Sequence, residues 1–190
     1  MKRKIKKLTK VITGMHTTMS YVCVNEAKEP IGGGAKKYSV SAIISKDDKA
    51  TLEKIRAAIQ AAYDEGQSTL KGNSKSVPAL EDIKTPLRDG DKDRKGDEAY
   101  KNSYFVNASS TTKPGVVDAD LNPILDSSEI YSGITGRVSL TFYAYNVNGN
   151  RGIACGLNNI QKLADGTPLG GRSRAEDDFA DLDDDEDFLS

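Results

Sequence analysis

Histidine occurs once in this 190-residue chain, at His16, and cysteine only twice, at Cys23 and Cys155. A single imidazole excludes multi-histidine metal centres and most arrangements in which a nucleophile is activated by a neighbouring base. The cysteines stand in no CxxC or Cys/His spacing, so neither a zinc site nor a disulfide framework is indicated. Both are expected to be small buried residues. These shortages argue against an enzyme and against a bound cofactor. Long apolar runs are also missing, since no stretch approaches the roughly 20 consecutive apolar residues that cross a bilayer. The apolar run after Lys10 is broken by Thr13, Gly14, His16 and Thr17 before a signal-peptide core could form. A cytoplasmic protein with no membrane partner is expected.

What the chain does have is charge, and it is segregated. Residues 176–187 hold nine acidic side chains, and from Glu176 onward there is no Lys or Arg. The body before that point keeps all 27 basic residues against 19 acidic ones, a net of about +8 hidden by the overall −1. Six of the first ten residues are basic (Lys2, Arg3, Lys4, Lys6, Lys7 and Lys10). Such a body attracts polyphosphate, because each phosphate contact releases condensed counterions. The N-terminal block taken alone reads equally well as a solubilising arm.

Periodicity separates one helix from a set of strands. Residues 10–24 are rich in Val, Ile, Thr, Met and Tyr without helical period and read as one long strand or two short ones. Glu29-Pro30-Ile31-Gly32-Gly33-Gly34 is a turn-rich connection to a second strand over residues 37–44. Leu52, Ile55, Ala58, Ile59, Ala62 and Tyr63 recur at three- and four-residue steps, which predicts a helix within residues 46–66, capped by Asp47 or Asp48 and ended by Gly66. Residues 67–102 read as a long surface loop with short ordered pieces. Strand character returns at residues 103–108 and briefly near residues 116–117. Residues 137–147 and 152–163 then flank Asn148-Gly149-Asn150, a specific hairpin signal. Strands that do not alternate with helices predict a mainly β fold, an antiparallel barrel like the oligonucleotide-binding fold with one main helix. The expected organisation is a basic arm (residues 1–10), the barrel (11–171) and an acidic tail without a fold of its own (172–190).

Binding single strands without sequence preference requires cations that follow the backbone and aromatic faces on which bases stack. In the hairpin, Val138, Leu140, Phe142 and Ala144 point one way and Ser139, Thr141, Tyr143 and Tyr145 the other. Tyr143 and Tyr145 therefore either stack bases, with Arg137 and Arg151 at the ends of their face, or pack beneath the helix or a loop. Tyr104 and Phe105 alternate, Tyr104 being expected to face the groove, with Lys101 and Lys113 nearby. Arg88, Lys92, Arg94 and Lys95 form a second cationic group, of which Arg88 is the candidate phosphate contact. Interspersed Asp89, Asp91, Asp93 and Asp97 weaken that idea, and they do not make a calcium loop. An EF-hand register starting at Asp89 puts Arg94 where Gly is needed and Tyr100 where the bidentate Glu should stand.

The tail combines like charges with too few apolar groups to offset ordering entropy. Asp183, Asp184, Asp185, Glu186 and Asp187 lead to Phe188 and Leu189, an apolar pair in an acidic segment suited to a basic, apolar pocket on a partner. The tail can also lie across the chain's own basic groove until nucleic acid displaces it, or reach a neighbour's groove in a homodimer.

Four segments carry a resemblance beyond these patterns: Thr85-Pro86-Leu87-Arg88-Asp89-Gly90-Asp91, Tyr104-Phe105-Val106-Asn107-Ala108-Ser109-Ser110, Asn148-Gly149-Asn150-Arg151-Gly152-Ile153-Ala154-Cys155-Gly156-Leu157-Asn158-Asn159, and Pro168-Leu169-Gly170-Gly171-Arg172-Ser173-Arg174-Ala175-Glu176-Asp177-Asp178-Phe179. Over almost everything after Tyr38 the chain resembles a phage family of single-stranded DNA-binding proteins, formerly a domain of unknown function and similar in design to acidic-tailed phage replication proteins. The block over residues 1–10 is more basic than the resemblance leads one to expect. The resemblance implies an oligonucleotide-binding fold, single-stranded DNA as partner, a non-enzymatic role coating DNA in phage replication or recombination in the host cytoplasm, and polymerase or helicase partners for the tail. It assigns no individual binding residue. Two other functions fit the composition: an assembly scaffold acting through its acidic tail, and a nuclease using the aspartate-rich loop with a metal.

Overall fold

The computed structural model describes residues 8–170. In chain order its strands are β1 (Lys10–Ile12), β2 (Thr17–Lys28), β3 (Lys37–Ser45), β4 (Leu87–Asp89), β5 (Ser103–Ser110), β6 (Gly115–Val117), β7 (Thr135–Val147) and β8 (Asn150–Ala164). The helices are α1 (Lys49–Glu65), α2 (Gln67–Lys71) and α3 (Gly90–Asp93). The fold is mainly β, as the pattern of strands predicts. Residues 10–24 resolve into two strands, broken at Thr13 to His16.

The strands run β1-β7-β2-β3-β5-β8-β6, with β4 added on β5 and a further β7–β8 pairing. Because β7 pairs with both β2 and β8, the five strands β2, β3, β5, β8 and β7 close into a ring. Most neighbours are antiparallel; β8 runs parallel to β5 and β6. The expected hairpin is the longest pairing, from Thr135↔Ala164 to Val147↔Asn150. Its turn is Asn148-Gly149 alone, at φ 51 and φ 82, and Asn150 already belongs to β8. Positive φ at both central residues is what a two-residue turn needs to follow the strand twist.

Inside the ring lie Met19, Val40, Ala42, Ile44, Val106, Ala108, Val138, Leu140, Phe142, Ile153, Cys155 and Leu157, all buried. Helix α1 contributes Leu52, Ile55, Ala58, Ile59 and Ala62 to the same core. Its start is set by Asp48, whose carboxylate accepts a hydrogen bond from the Thr51 amide at 3.1 Å. Tyr63, on the same stripe, is half-buried and donates its hydroxyl to the Pro78 carbonyl at 2.9 Å. Cys155 is buried as expected, and burial pushes its thiol pKa up; Cys23 is only half-buried.

Residues 67–102 do form the expected long connection with short ordered pieces, and one of them packs on the outside of the ring. There Tyr100 and Phe105 meet edge to face at 5.0 Å and, with Ile43, make a second small core. Lys46, just after β3, pins this segment: its Nζ lies 2.9 Å from Asp89 and 2.6 Å from Asp91. The Lys46 ammonium is the main cause holding both carboxylates below their ordinary pKa, and they in turn raise its own. Groups with depressed pKa contribute stability that is present above the unfolded value and lost as pH falls through the folded one.

Two outcomes follow for stability. Phe142→Ala should lower the unfolding free energy by about 3–5 kcal/mol in denaturant titration, because the ring is fully enclosed. The stability difference between the natural chain and Lys46→Met should hold constant from neutral pH down to the ordinary carboxylate value of 3.8 and shrink below it.

Candidate nucleic-acid interface

Strand register decides which side chains leave the barrel. On β7, Leu140 and Phe142 point inward, so Thr141 and Tyr143 point outward, and Thr141 aligns with Gly156 of β8. Gly156 in turn aligns with Ser109 of β5, and Ser109 with Ser39 of β3. Next to that pair, Asn107 faces Ser41, and Ser41 faces Ser20 of β2. A band of serines, asparagine, threonine and glycine therefore crosses the outer surface of five adjoining strands. Ser20 and Ser41 are buried, the latter beneath the Tyr100 hydroxyl, so the part of the band open to an approaching polymer is Ser39, Asn107, Ser109, Gly156 and Thr141. On β8 the outward positions are Gly152, Ala154, Gly156 and Asn158; Gly152 is covered by the Lys84 backbone and the Tyr145 hydroxyl, and Ala154 and Gly156 leave a shallow trough beside Tyr143.

The aromatic residues edge this band. Tyr143 is 47% exposed, aligned with Ala154, and its ring passes so close to Gly156 that a Cβ there would stand 3.7 Å away. Tyr145 is half-buried on the same face, with its hydroxyl over Gly152 beside Lys84. Tyr143 lines a cleft with Ala62 and Glu65 at the end of α1 and with Thr69 of α2, and it stays 47% exposed there. Tyr104 differs from expectation. It shares the inward face of β5 with Val106 and Ala108, is half-buried against the core, and carries Lys46 and Arg56 over its ring at 5.2 and 5.3 Å. Phe105 is the residue that faces outward, and Tyr100 covers it completely.

The five candidate cations separate in the same way. Arg137 lies on the outer face of β7, opposite Gln161. Arg151 does not share that face, because it aligns with Asn146, one residue out of phase with the tyrosines. Its guanidinium instead clamps the hairpin to the segment after α1, donating to the Leu70 carbonyl at 3.0 Å and to the Ser74 hydroxyl. Lys101 is exposed at the start of β5 with Glu98 at 3.8 Å, and Lys113 is exposed just beyond the end of β5. Arg88 sits on the outer side, 5.2 Å over Phe105, with its Nε on Asp93 at 3.1 Å.

Two groups on this face, Tyr21 and Arg94, stand outside the candidate stacking and phosphate contacts that the sequence suggests. Tyr21 is 56% exposed and stands over Arg94, whose guanidinium is 5.3 Å from its ring centre. Simple alternation puts Tyr21 on the inward side with Met19; a register irregularity between Ser20 and Cys23 turns it outward, at φ 47. Arg94 belongs to the cationic group that, in the sequence, the interspersed aspartates weaken as a whole. Those carboxylates are spent locally: Asp89 accepts from the Asp91 amide, Asp91 from the Asn102 amide, and Asp97 from the Ala99 amide. Asp93 pairs with Arg88. Such Asx caps at two-residue spacing are the sequence signal that would have freed Arg94 from its neighbours. Together Tyr21, Arg94, Ile31, Ser39, Ser41, Asn107 and Ser109 line a cleft of about 400 Å³.

Among the described residues, no three His, Cys, Asp or Glu side chains are grouped to hold a metal ion, and no helix is long and apolar enough to cross a membrane. Asp183, Asp184, Asp185, Glu186, Asp187, Phe188 and Leu189 lie outside the described residues, as does most of the basic N-terminal block.

Comparisons with known proteins agree with the fold. A protein described as putative protein p50, of Acyrthosiphon pisum secondary endosymbiont phage 1, is 28% identical over 165 residues, covering 83% of this chain and 85% of that one. The single-stranded DNA-binding protein of bacteriophage Enc34, solved in complex with single-stranded DNA, superposes with a TM-score of 0.67 at 20% identity over 86% of this chain and 91% of that one. The single-stranded DNA-binding protein encoded by bacteriophage T7 gives a TM-score of 0.57 at 15% identity over 95% of this chain and 98% of that one. At these identities the structural likeness concerns the fold. The family itself is set by sequence: residues 9–189 match the profile described as the single-stranded DNA-binding protein of Enterobacter phage Enc34, and the chain belongs to that family.

Proposed function

We propose that this protein binds single-stranded DNA without sequence preference along the outer band of the barrel, and that it acts by occupancy rather than by a chemical step. The observation that carries the reading is the continuity of the band. Ser39, Ser41, Asn107, Ser109, Gly156 and Thr141 are linked by strand register across β3, β5, β8 and β7, with Tyr143 and Tyr145 at one end and Tyr21 and Arg94 at the other. Bases stack on the tyrosines, while Arg94, Arg88, Arg137, Lys101 and Lys113 follow the backbone as cations. Membership of a single-stranded DNA-binding family supports the same partner.

Coating and protecting single strands in phage replication or recombination, in the host cytoplasm, is the role such a surface serves. The acidic segment of residues 176–187 competes for the basic band, and Phe188 and Leu189 engage replication partners when DNA displaces it. A polyanion attached to a basic binding surface is an intramolecular competitor at high effective concentration.

Fluorescence anisotropy of a labelled oligothymidine tests both parts. The full chain should bind at low salt and weaken steeply with added salt, and a truncation ending at Ala175 should bind more tightly. Absence of binding by either form at low salt would remove the DNA-binding reading, and equal affinities would remove the competing role of the tail. Tyr143→Ala should weaken oligothymidine binding about tenfold with the salt slope unchanged, since one stacked base contributes about 1–3 kcal/mol. Arg137→Ala and Lys113→Ala should each lower the slope of log affinity against log salt by about one.

A further inference from the structure

We infer that the cleft between Tyr21 and the β2–β3 loop is a pocket for a single unstacked nucleobase, with Arg94 the positioning residue that sets the Tyr21 ring as its wall; this rests on the proposed binding of single strands. Three independent features of the cleft converge on a flat ligand with a polar edge.

The first is the wall. Tyr21 adopts φ 47, a left-handed conformation that aromatic side chains rarely take, at the point where the β2–β3 register breaks. A position held against its preference points to a constraint that the strand alone does not impose. Arg94 supplies the hold. Its guanidinium lies 5.3 Å from the Tyr21 ring centre, and 5.3 and 5.6 Å from those of Tyr100 and Phe105. Tyr100 and Phe105 are fully buried, and Tyr100 is fixed by its hydroxyl on Ser41 at 3.0 Å. Arg94 thus bridges an immovable pair of rings to an exposed one, and the open face of Tyr21 is left to the cleft.

Opposite stands Ile31, fully exposed at 109% yet lining the same cleft. It is carried between Pro30 and three glycines at φ 104, 86 and 120, with open space around Gly32 and Gly34. An isoleucine in that position buries nothing in the free protein. A base placed against Tyr21 would cover it, and the glycines allow the loop to adjust.

The floor is the third feature. Ser39, Asn107 and Ser109 present hydroxyl and amide groups that form no side-chain hydrogen bond among the described residues. The Asn107 amide offers two donors and one acceptor and is exposed, so it can pair with the edge of any base. At about 400 Å³ the cleft is of the size that holds a small planar ligand. A duplex keeps its bases stacked and their edges paired, so this pocket would make the surface select single strands over double ones.

The chain contains no tryptophan, so Tyr21→Trp adds a unique fluorophore at the wall. The experiment titrates oligothymidine into the full-length Tyr21→Trp protein, following tryptophan emission and oligonucleotide anisotropy together, beside the natural chain, Tyr21→Ala and Arg94→Lys. The expected result is quenched emission that tracks the anisotropy, about tenfold weaker single-strand binding by Tyr21→Ala, and little change in its residual affinity for a duplex of equal length. Arg94→Lys keeps the charge and loses the stacked plane, so it should weaken single-strand binding while leaving the salt slope unaltered. Unquenched emission at saturation, or unchanged affinity in Tyr21→Ala, would overturn the pocket while leaving the wider binding surface standing. If the natural chain fails to bind oligothymidine at low salt, the proposed function falls, and the pocket with it.

Discussion

The pairing of β7 with β8 is the constraint on which the remaining architecture depends. It runs from Thr135 to Val147 on one strand and from Asn150 to Ala164 on the other, and it is pinned by a two-residue turn whose residues both have positive φ. Side chains in a strand alternate with period two, so a slip of one residue would send Leu140 and Phe142 to solvent and Tyr143 into the core. The same two strands complete the ring, β7 through β2 and β8 through β5. Register in the hairpin therefore fixes at once which residues make the core and which make the outer band.

Charge is organised at shorter range. The aspartate-rich segment after α2 carries its negative charge in caps and in contacts with Lys46 and Arg88, and it seats Tyr100 over Phe105. A stretch that is nearly neutral by composition thus presents a cation, Arg94, to the outer surface. Net charge along the sequence describes the partner, whereas the local pairing of carboxylates decides where that partner can lie.

Much of the fold could be read from the sequence because its signals are local. The 3.6-residue stripe of α1, the Asn148-Gly149 turn and the alternation in β7 each depend on neighbours a few residues away. The outward placement of Tyr143 followed from that alternation alone. Where the reading missed, the cause was tertiary. Which member of Tyr104-Phe105 is exposed depends on Tyr100 folding over β5 from outside, which leaves neither ring free. Arg151 lost its expected face because it aligns with Asn146, opposite in phase to the tyrosines. Tyr21 was invisible because a break in register, absent from any two-residue pattern, reverses the side on which it emerges. The acidic tail is legible as composition only.

The proposed function stands on DNA occupying one face of the barrel, the outward side of β3, β5, β8 and β7. Photocrosslinking of a 5-iodouracil-substituted oligothymidine to the full-length protein, followed by peptide mapping, tests that placement directly. Crosslinks are expected at Tyr143 and Tyr21, on the two ends of the band, and none at Tyr63, which lies on α1 with its hydroxyl on the Pro78 carbonyl. Crosslinks concentrated at Tyr63 or elsewhere on the helical side would contradict that placement.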